Sequence, residues 1–74
     1  MRVKIKLFAS LRQERFKEEM RDFAAGITVG EVAGELAIAA EDLGVILVNG
    51  RHGGIEQPLN EGDTLSLFPL VGGG

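Results

Sequence analysis

Phe16-Lys17-Glu18-Glu19-Met20-Arg21-Asp22-Phe23-Ala24-Ala25 reads two ways. Phe16, Met20, Phe23 and Ala24 stand at i, i+4, i+7 and i+8, the stripe of an amphipathic helix running to Ala25. A shorter strand from about Glu18 to Ala24, paired as a hairpin with a preceding strand, fits the same letters less well. The stretch before it is plainer. Arg2, Lys4 and Lys6 alternate with Val3, Ile5 and Leu7, the period-two pattern of a strand with one face on a core and the other in water. Continuing that parity carries Ala9 inward and Phe8 outward, among the lysines. Ser10 to Phe16 is rich in long charged residues and suits a helical turn or two.

The stretch after it is plain as well. Thr28 followed by Glu31 is a capping box, in which hydroxyl and carboxylate each satisfy an orphaned backbone N–H. Ile27 and Val32 occupy the positions of a hydrophobic staple, so a helix begins at Val29 with Val29, Val32, Ala33 and Leu36 as its apolar stripe. Gly30 and Gly34 each cost that helix about 1 kcal/mol relative to Ala, which suggests close packing on a neighbour or, equally well, weak selection for stability. Val45 to Val48 is a continuous apolar run, placing two residues on each face of a strand, and Asn49-Gly50 is a hairpin-turn signal before a weak strand. Pro58 to Asp63 is turn chemistry. Thr64 to Phe68 forms the last strand, with Leu65 and Leu67 inward, Thr64, Ser66 and Phe68 outward, and Pro69 ending it. These elements assemble into one α+β domain, a mixed sheet with one main helix on its inner face.

Composition narrows the chemistry. A chain of 74 residues has room for one core. With no Cys and the single His52, neither a disulfide scaffold nor a zinc site is available, and no metal site is expected. The net charge of −3 divides into +4 over Met1 to Arg21 and −7 over Asp22 to Gly74. The basic part lacks Trp and Tyr to stack on bases, so it reads as a solvated face and not as a nucleic-acid surface. No apolar run approaches the ~20 residues of a membrane span, and the opening has no signal-peptide stretch; a soluble, cytoplasmic protein is expected. His52 with Ser10 or Ser66 lacks a nucleophile-elbow pattern. Glu18-Glu19, Glu41-Asp42 and the pair Glu31 and Glu35 read as solvated charge. Gly50, Gly53 and Gly54 precede no helix with a Lys and so make no phosphate loop.

What remains is the closing Gly72-Gly73-Gly74. Without Cβ atoms such an end threads a narrow channel and presents an unhindered carboxylate. That carboxylate is inert until activated, usually by transfer to a nucleotide phosphate, and the chain has no ATP site of its own. A flexible tail over residues 70–74 is expected, since it follows a strand-ending proline.

At this point the chain resembles a known family. Val3-Lys4-Ile5-Lys6-Leu7-Phe8-Ala9-Ser10-Leu11-Arg12, Thr28-Val29-Gly30-Glu31, Val48-Asn49-Gly50, Pro58-Leu59 followed by Gly62-Asp63, and Phe68-Pro69-Leu70-Val71-Gly72-Gly73-Gly74 are similar, in order and spacing, to the ubiquitin-like sulfur carriers. That family includes the small subunit of molybdopterin synthase and the thiamine-pathway sulfur carrier. The resemblance implies a β-grasp fold over 1–74, with the first two strands as a hairpin and the first and last parallel at the sheet centre. This favours the strand for the segment after Phe16.

The resemblance also implies a protein cosubstrate and not an enzyme. The Gly74 carboxylate would be adenylated by a ubiquitin-activating-type enzyme and turned by a sulfur donor protein into a thiocarboxylate. Gly72 and Gly73 would serve tail recognition, with ATP and Mg supplied at the activating partner and no cofactor bound by this chain. The opening is more similar to the molybdopterin subunit, which makes that enzyme's large subunit the expected acceptor. Thiamine or tRNA thiolation, or a ubiquitin-like modifier joined to lysines, are the alternatives. Leu70 stands where the family commonly has a second proline and Gly72 where it has another small residue. Strand parity adds an expected partner-binding patch, Phe8 and Phe68 side by side on the outer face, extended by the outward pair from Val45 to Val48; Leu70 and Val71 are further expected partner-binding residues.

Overall fold

The computed structural model describes residues 1–71. Gly72, Gly73 and Gly74, on which the tail-recognition and carboxylate roles fall, lie outside the described residues. Five strands form one sheet in the order β2-β1-β5-β3-β4: β1 (Arg2–Leu7), β2 (Glu18–Asp22), β3 (Leu43–Val48), β4 (Arg51–His52) and β5 (Thr64–Pro69), with helix α1 (Val29–Glu35) between β2 and β3. β1 pairs antiparallel with β2 and parallel with β5, with Ile5 opposite Leu65 and Leu7 opposite Leu67. This is the β-grasp arrangement.

The core follows the parities of the sequence. Val3, Ile5, Leu7, Leu65 and Leu67 on the sheet and Val29 and Val32 on the helix are completely buried, and the cluster also takes in Leu11, Phe23, Ile27, Ala33, Leu36, Ile38, Val48 and Leu59. Helix α1 starts at the capping box: the Thr28 hydroxyl accepts the Glu31 N–H at 3.2 Å, and the Glu31 carboxylate accepts the Thr28 N–H at 2.9 Å. The two glycines of α1 differ. A Cβ on Gly30 would meet the Ile55 methyl at 2.7 Å, whereas a Cβ on Gly34 meets nothing. The loop carrying Ile55 therefore needs Gly30, and only Gly30, to lie close against the helix. At the β3–β4 turn Asn49 takes φ 52° and Gly50 φ 80°, the positive pair such tight hairpins require.

The segment that reads two ways is a strand, β2, ending at Asp22 and not at Ala24. Its helical spacing is coincidental, because Phe16 and Phe23 belong to the segments flanking the strand and not to one face of a helix. Phe23 enters the core and Phe16 packs against it, while Met20 and Ala24 are exposed. Met20 sits on the outer face opposite Lys4. On the inner side, Glu19 accepts from the Arg21 Nε at 2.6 Å, and the Arg21 guanidinium lies 5.1 Å from the centre of the Phe16 ring. Charges at inward positions of an edge strand discourage further strands from adding there.

Two local expectations are corrected. Ala9 does not point inward: β1 stops at Leu7, and Ala9 is exposed with φ 52°. Positive φ at Ala9 turns the backbone out of the strand into a single 3-10 turn, Ala9–Arg12, which buries Leu11 and replaces the expected longer helical stretch. Pro69 is the last residue of β5, paired with Leu43, and the strand ends after it. No helix among the described residues is long and apolar enough to cross a membrane.

Candidate functional site

Parallel pairing of β1 and β5 brings their C-terminal ends together, and the residues just there are Phe8 and Phe68. The Phe8 N–H donates to the Leu67 carbonyl at 3.1 Å, which holds Phe8 in register one residue beyond the strand. Its ring stacks on that of Phe68 with centroids 4.1 Å apart and planes 8° from parallel. Both rings are half-buried. On the other side of Phe68, Val45 lies opposite it in register and is 39% exposed, and Leu47 follows on the same face. Leu70 and Val71, 63% and 84% exposed, extend apolar surface onto the departing chain. The expected patch of Phe8 and Phe68 is therefore present on the face away from the helix.

The patch has a cationic border that the sequence reading passed over. The Arg12 Nε donates to the Leu7 carbonyl at 2.7 Å, and this bond holds the guanidinium 5.5 Å from the centre of the Phe8 ring. Its position four residues after Phe8 was the available signal, read only as charge. Elsewhere on the outer face the basic stripe of β1 is offset across the hairpin: Lys4 and Lys6 reach Glu18 at 3.6 and 4.0 Å, and Arg2 reaches Asp22 at 3.4 Å. The middle of the face is thus a wet, nearly balanced surface, and the apolar end stands out from it.

The point where the chain leaves the sheet is held by backbone. Leu43 pairs with Pro69 and Val45 with Phe68, leaving Gly44 as the extra residue of a bulge. The Leu70 N–H donates to the Asp42 carbonyl at 2.8 Å, so the first residue of the expected tail is tied to the loop before β3. Beside it a shallow groove opens among Ser10, Leu11, Arg15, Ile38, Asp42 and Leu70. Arg15 closes one wall, donating to the carbonyls of Leu36 at 2.9 Å, Ala37 at 3.0 Å and Leu11 at 3.1 Å. Both Gly44 and Arg15 escaped the sequence reading. A glycine at the head of an apolar run was the signal for the bulge.

His52 stands opposite Leu47, and Leu47 opposite Ser66, so His52 and Ser66 are two strands apart, about 10 Å, beyond hydrogen-bond reach. No group of His, Cys, Asp or Glu side chains is arranged to hold a metal ion among the described residues.

Comparison with known proteins is consistent with this geometry. Residues 5–74 match the model of the ThiS family. A Pyrococcus furiosus protein assigned as molybdopterin converting factor, subunit 1, is 29% identical, with 96% of this chain and 99% of that chain covered and a TM-score of 0.78. SAMP1 from Haloferax volcanii is 24% identical over the whole of both chains, with a TM-score of 0.75. A chain from the complex of subunits 1 and 2 of the Helicobacter pylori molybdopterin-converting factor is 21% identical over the whole of both chains, with a TM-score of 0.66. The last two likenesses establish the fold. No curated protein matches the chain.

Proposed function

The chain belongs to the ThiS family, and we propose that it is a sulfur carrier whose Gly74 carboxylate is adenylated and then converted to a thiocarboxylate. The observation that carries this reading is the placement of the stacked Phe8 and Phe68 beside the backbone-anchored exit of the chain, within a family match that runs through Gly74. A docking surface at that point lets a partner grip the folded domain while the glycines enter its active site. Phe8, Phe68, Leu70 and Val71 are the contact residues, and Gly72 and Gly73 pass a channel too narrow for side chains.

In the first step a carboxylate oxygen of Gly74 attacks the α-phosphorus of ATP, and pyrophosphate leaves. The outer sulfur of a protein persulfide then attacks the acyl carbon and displaces AMP. A thiol finally cleaves the sulfur–sulfur bond, forming a disulfide with the donor's sulfur and leaving the thiocarboxylate on Gly74. ATP and Mg²⁺ are bound by the adenylating enzyme in this scheme, and the chain acts as a cosubstrate with no catalytic side chain of its own. The Pyrococcus and Helicobacter likenesses favour a pterin precursor as sulfur acceptor, with a large synthase subunit as partner. The likeness to the Haloferax protein, a small archaeal modifier protein, favours a second reading, a modifier linked through Gly74 to lysines.

The test is incubation with a cognate adenylating enzyme, ATP, Mg²⁺ and a persulfide donor, followed by intact mass. One oxygen exchanged for sulfur, lost on deletion of Gly74 with the fold retained, is expected. Thiolation of the truncated chain would overturn the assignment to Gly74, and isopeptide links from Gly74 to lysines in cells would favour the modifier.

A further inference from the structure

Gly44 has a backbone that any residue could adopt, since it is not among the glycines with positive φ. What it lacks is room. A Cβ built on it would lie 2.6 Å from the Pro69 carbonyl oxygen, 3.0 Å from the Pro69 carbonyl carbon and 3.0 Å from the Leu70 Cα. Every one of these atoms is backbone, so no flexible side chain can swing aside. Gly30 is crowded as well, but the atom nearest its Cβ is a side-chain methyl. To reach ordinary contact distance from a Cβ at position 44, the Pro69–Leu70 segment would have to move by roughly an ångström. The Leu70 N–H to Asp42 carbonyl bond, 2.8 Å long, spans the same joint.

We infer that Gly44 is a positioning residue for the chain's end: the bulge at Gly44 and the Leu70 to Asp42 hydrogen bond together set the direction in which the backbone leaves the sheet, and hence where Gly74 arrives in a partner's active site once Phe8 and Phe68 have docked. The inference rests on the sulfur-carrier reading. It separates two tasks that lie side by side. The aromatic patch determines how tightly the domain is held, and the bulge determines how well the carboxylate is aimed. A reacting group displaced by about 1 Å by a change remote from the chemistry can lose on the order of a hundredfold in rate.

The experiment compares wild type, Gly44→Ala and Gly34→Ala as substrates of a cognate adenylating enzyme, measuring ATP–pyrophosphate exchange together with amide hydrogen exchange at Leu70. Gly34 is a solvent-facing control with nothing near its Cβ. For Gly44→Ala, a fall in kcat of roughly ten- to a hundredfold is expected, with KM for the carrier within about twofold of wild type, because the stacked rings of Phe8 and Phe68 that hold the domain stay in place and only the Pro69–Leu70 segment shifts. Protection of the Leu70 amide should fall while that of Leu65 and Leu67 stays unchanged. Wild-type kcat in Gly44→Ala, or a loss confined to KM, would overturn the inference. So would unchanged protection at Leu70, which is read without any enzyme. Absence of exchange with wild-type protein would count against the carrier reading, while the Leu70 measurement would still judge the anchor.

Discussion

Phe8 and Phe68 lie face to face and only partly buried, an arrangement that gains less from folding than full burial would and leaves apolar surface for a partner. Half-buried aromatic pairs contribute about 1 kcal/mol to a fold beyond their area, whereas a central aromatic in an interface contributes about 2 kcal/mol or more to binding. We expect Phe8→Ala or Phe68→Ala to weaken affinity for the adenylating enzyme by roughly 30-fold. The denaturant midpoint should fall only slightly, and calorimetry beside urea unfolding checks both numbers. A large loss of stability with intact affinity would mean that the rings serve the core. These two residues were legible because side-chain parity along a strand is strict, so Lys4 and Lys6 outward oblige Phe8 outward once the strand holds its register. Arg12 over Phe8 was not legible, since it depends on the turn that begins at Ala9, whose positive φ no local pattern announces.

At the level of elements, α1 is where composition and packing pull apart. Gly34 faces open space, so Gly34→Ala should stabilise the domain by about 1 kcal/mol through helix propensity alone. Gly30→Ala should have the opposite sign, because the gain in propensity is outweighed by the clash with Ile55. Thr28→Ala removes the hydroxyl of the capping box and should cost about 1 kcal/mol. Denaturant midpoints of the three variants, measured side by side, decide the order. The start of α1 was readable because a cap is a local hydrogen-bonding motif four residues long. β2 resisted reading for the converse reason. Its inward positions hold Glu19 and Arg21, and its true apolar anchors, Phe16 and Phe23, lie beyond its ends, so period-two alternation is absent where the strand is. The cross-strand pairs of β2 are exposed; Glu18→Gln, which removes the partner of both Lys4 and Lys6, should change stability by less than about 0.5 kcal/mol.

Across the whole molecule, the central contact joins the two ends of the sequence: Lys4 pairs with Thr64 and Leu7 with Leu67. A fold held by such distant pairs responds as a unit. Truncation of a completely buried residue such as Leu67 to Ala should cost about 2–5 kcal/mol, against a total stability on the order of 4–11 kcal/mol for a domain of this size. Leu67→Ala should therefore lower the thermal midpoint sharply by circular dichroism, and a shift of only a few degrees would contradict the packing described. That these two strands run parallel was not written in their own letters; it entered through the likeness of the whole sequence to a family, since pairing across sixty residues leaves no local trace. Parallel strands also have their beginnings at one pole and their finishes at the other. Met1, whose amino group donates to the Phe23 carbonyl at 2.8 Å, sits about 30 Å from the exit at Leu70, since the register of Leu7 with Leu67 puts about nine residues of strand rise between them. An affinity tag, a dye or a surface tether attached through Met1 leaves the Phe8–Phe68 end of the sheet uncovered, so on the sulfur-carrier reading proposed above an immobilised protein would still be open to loading and unloading on a solid support.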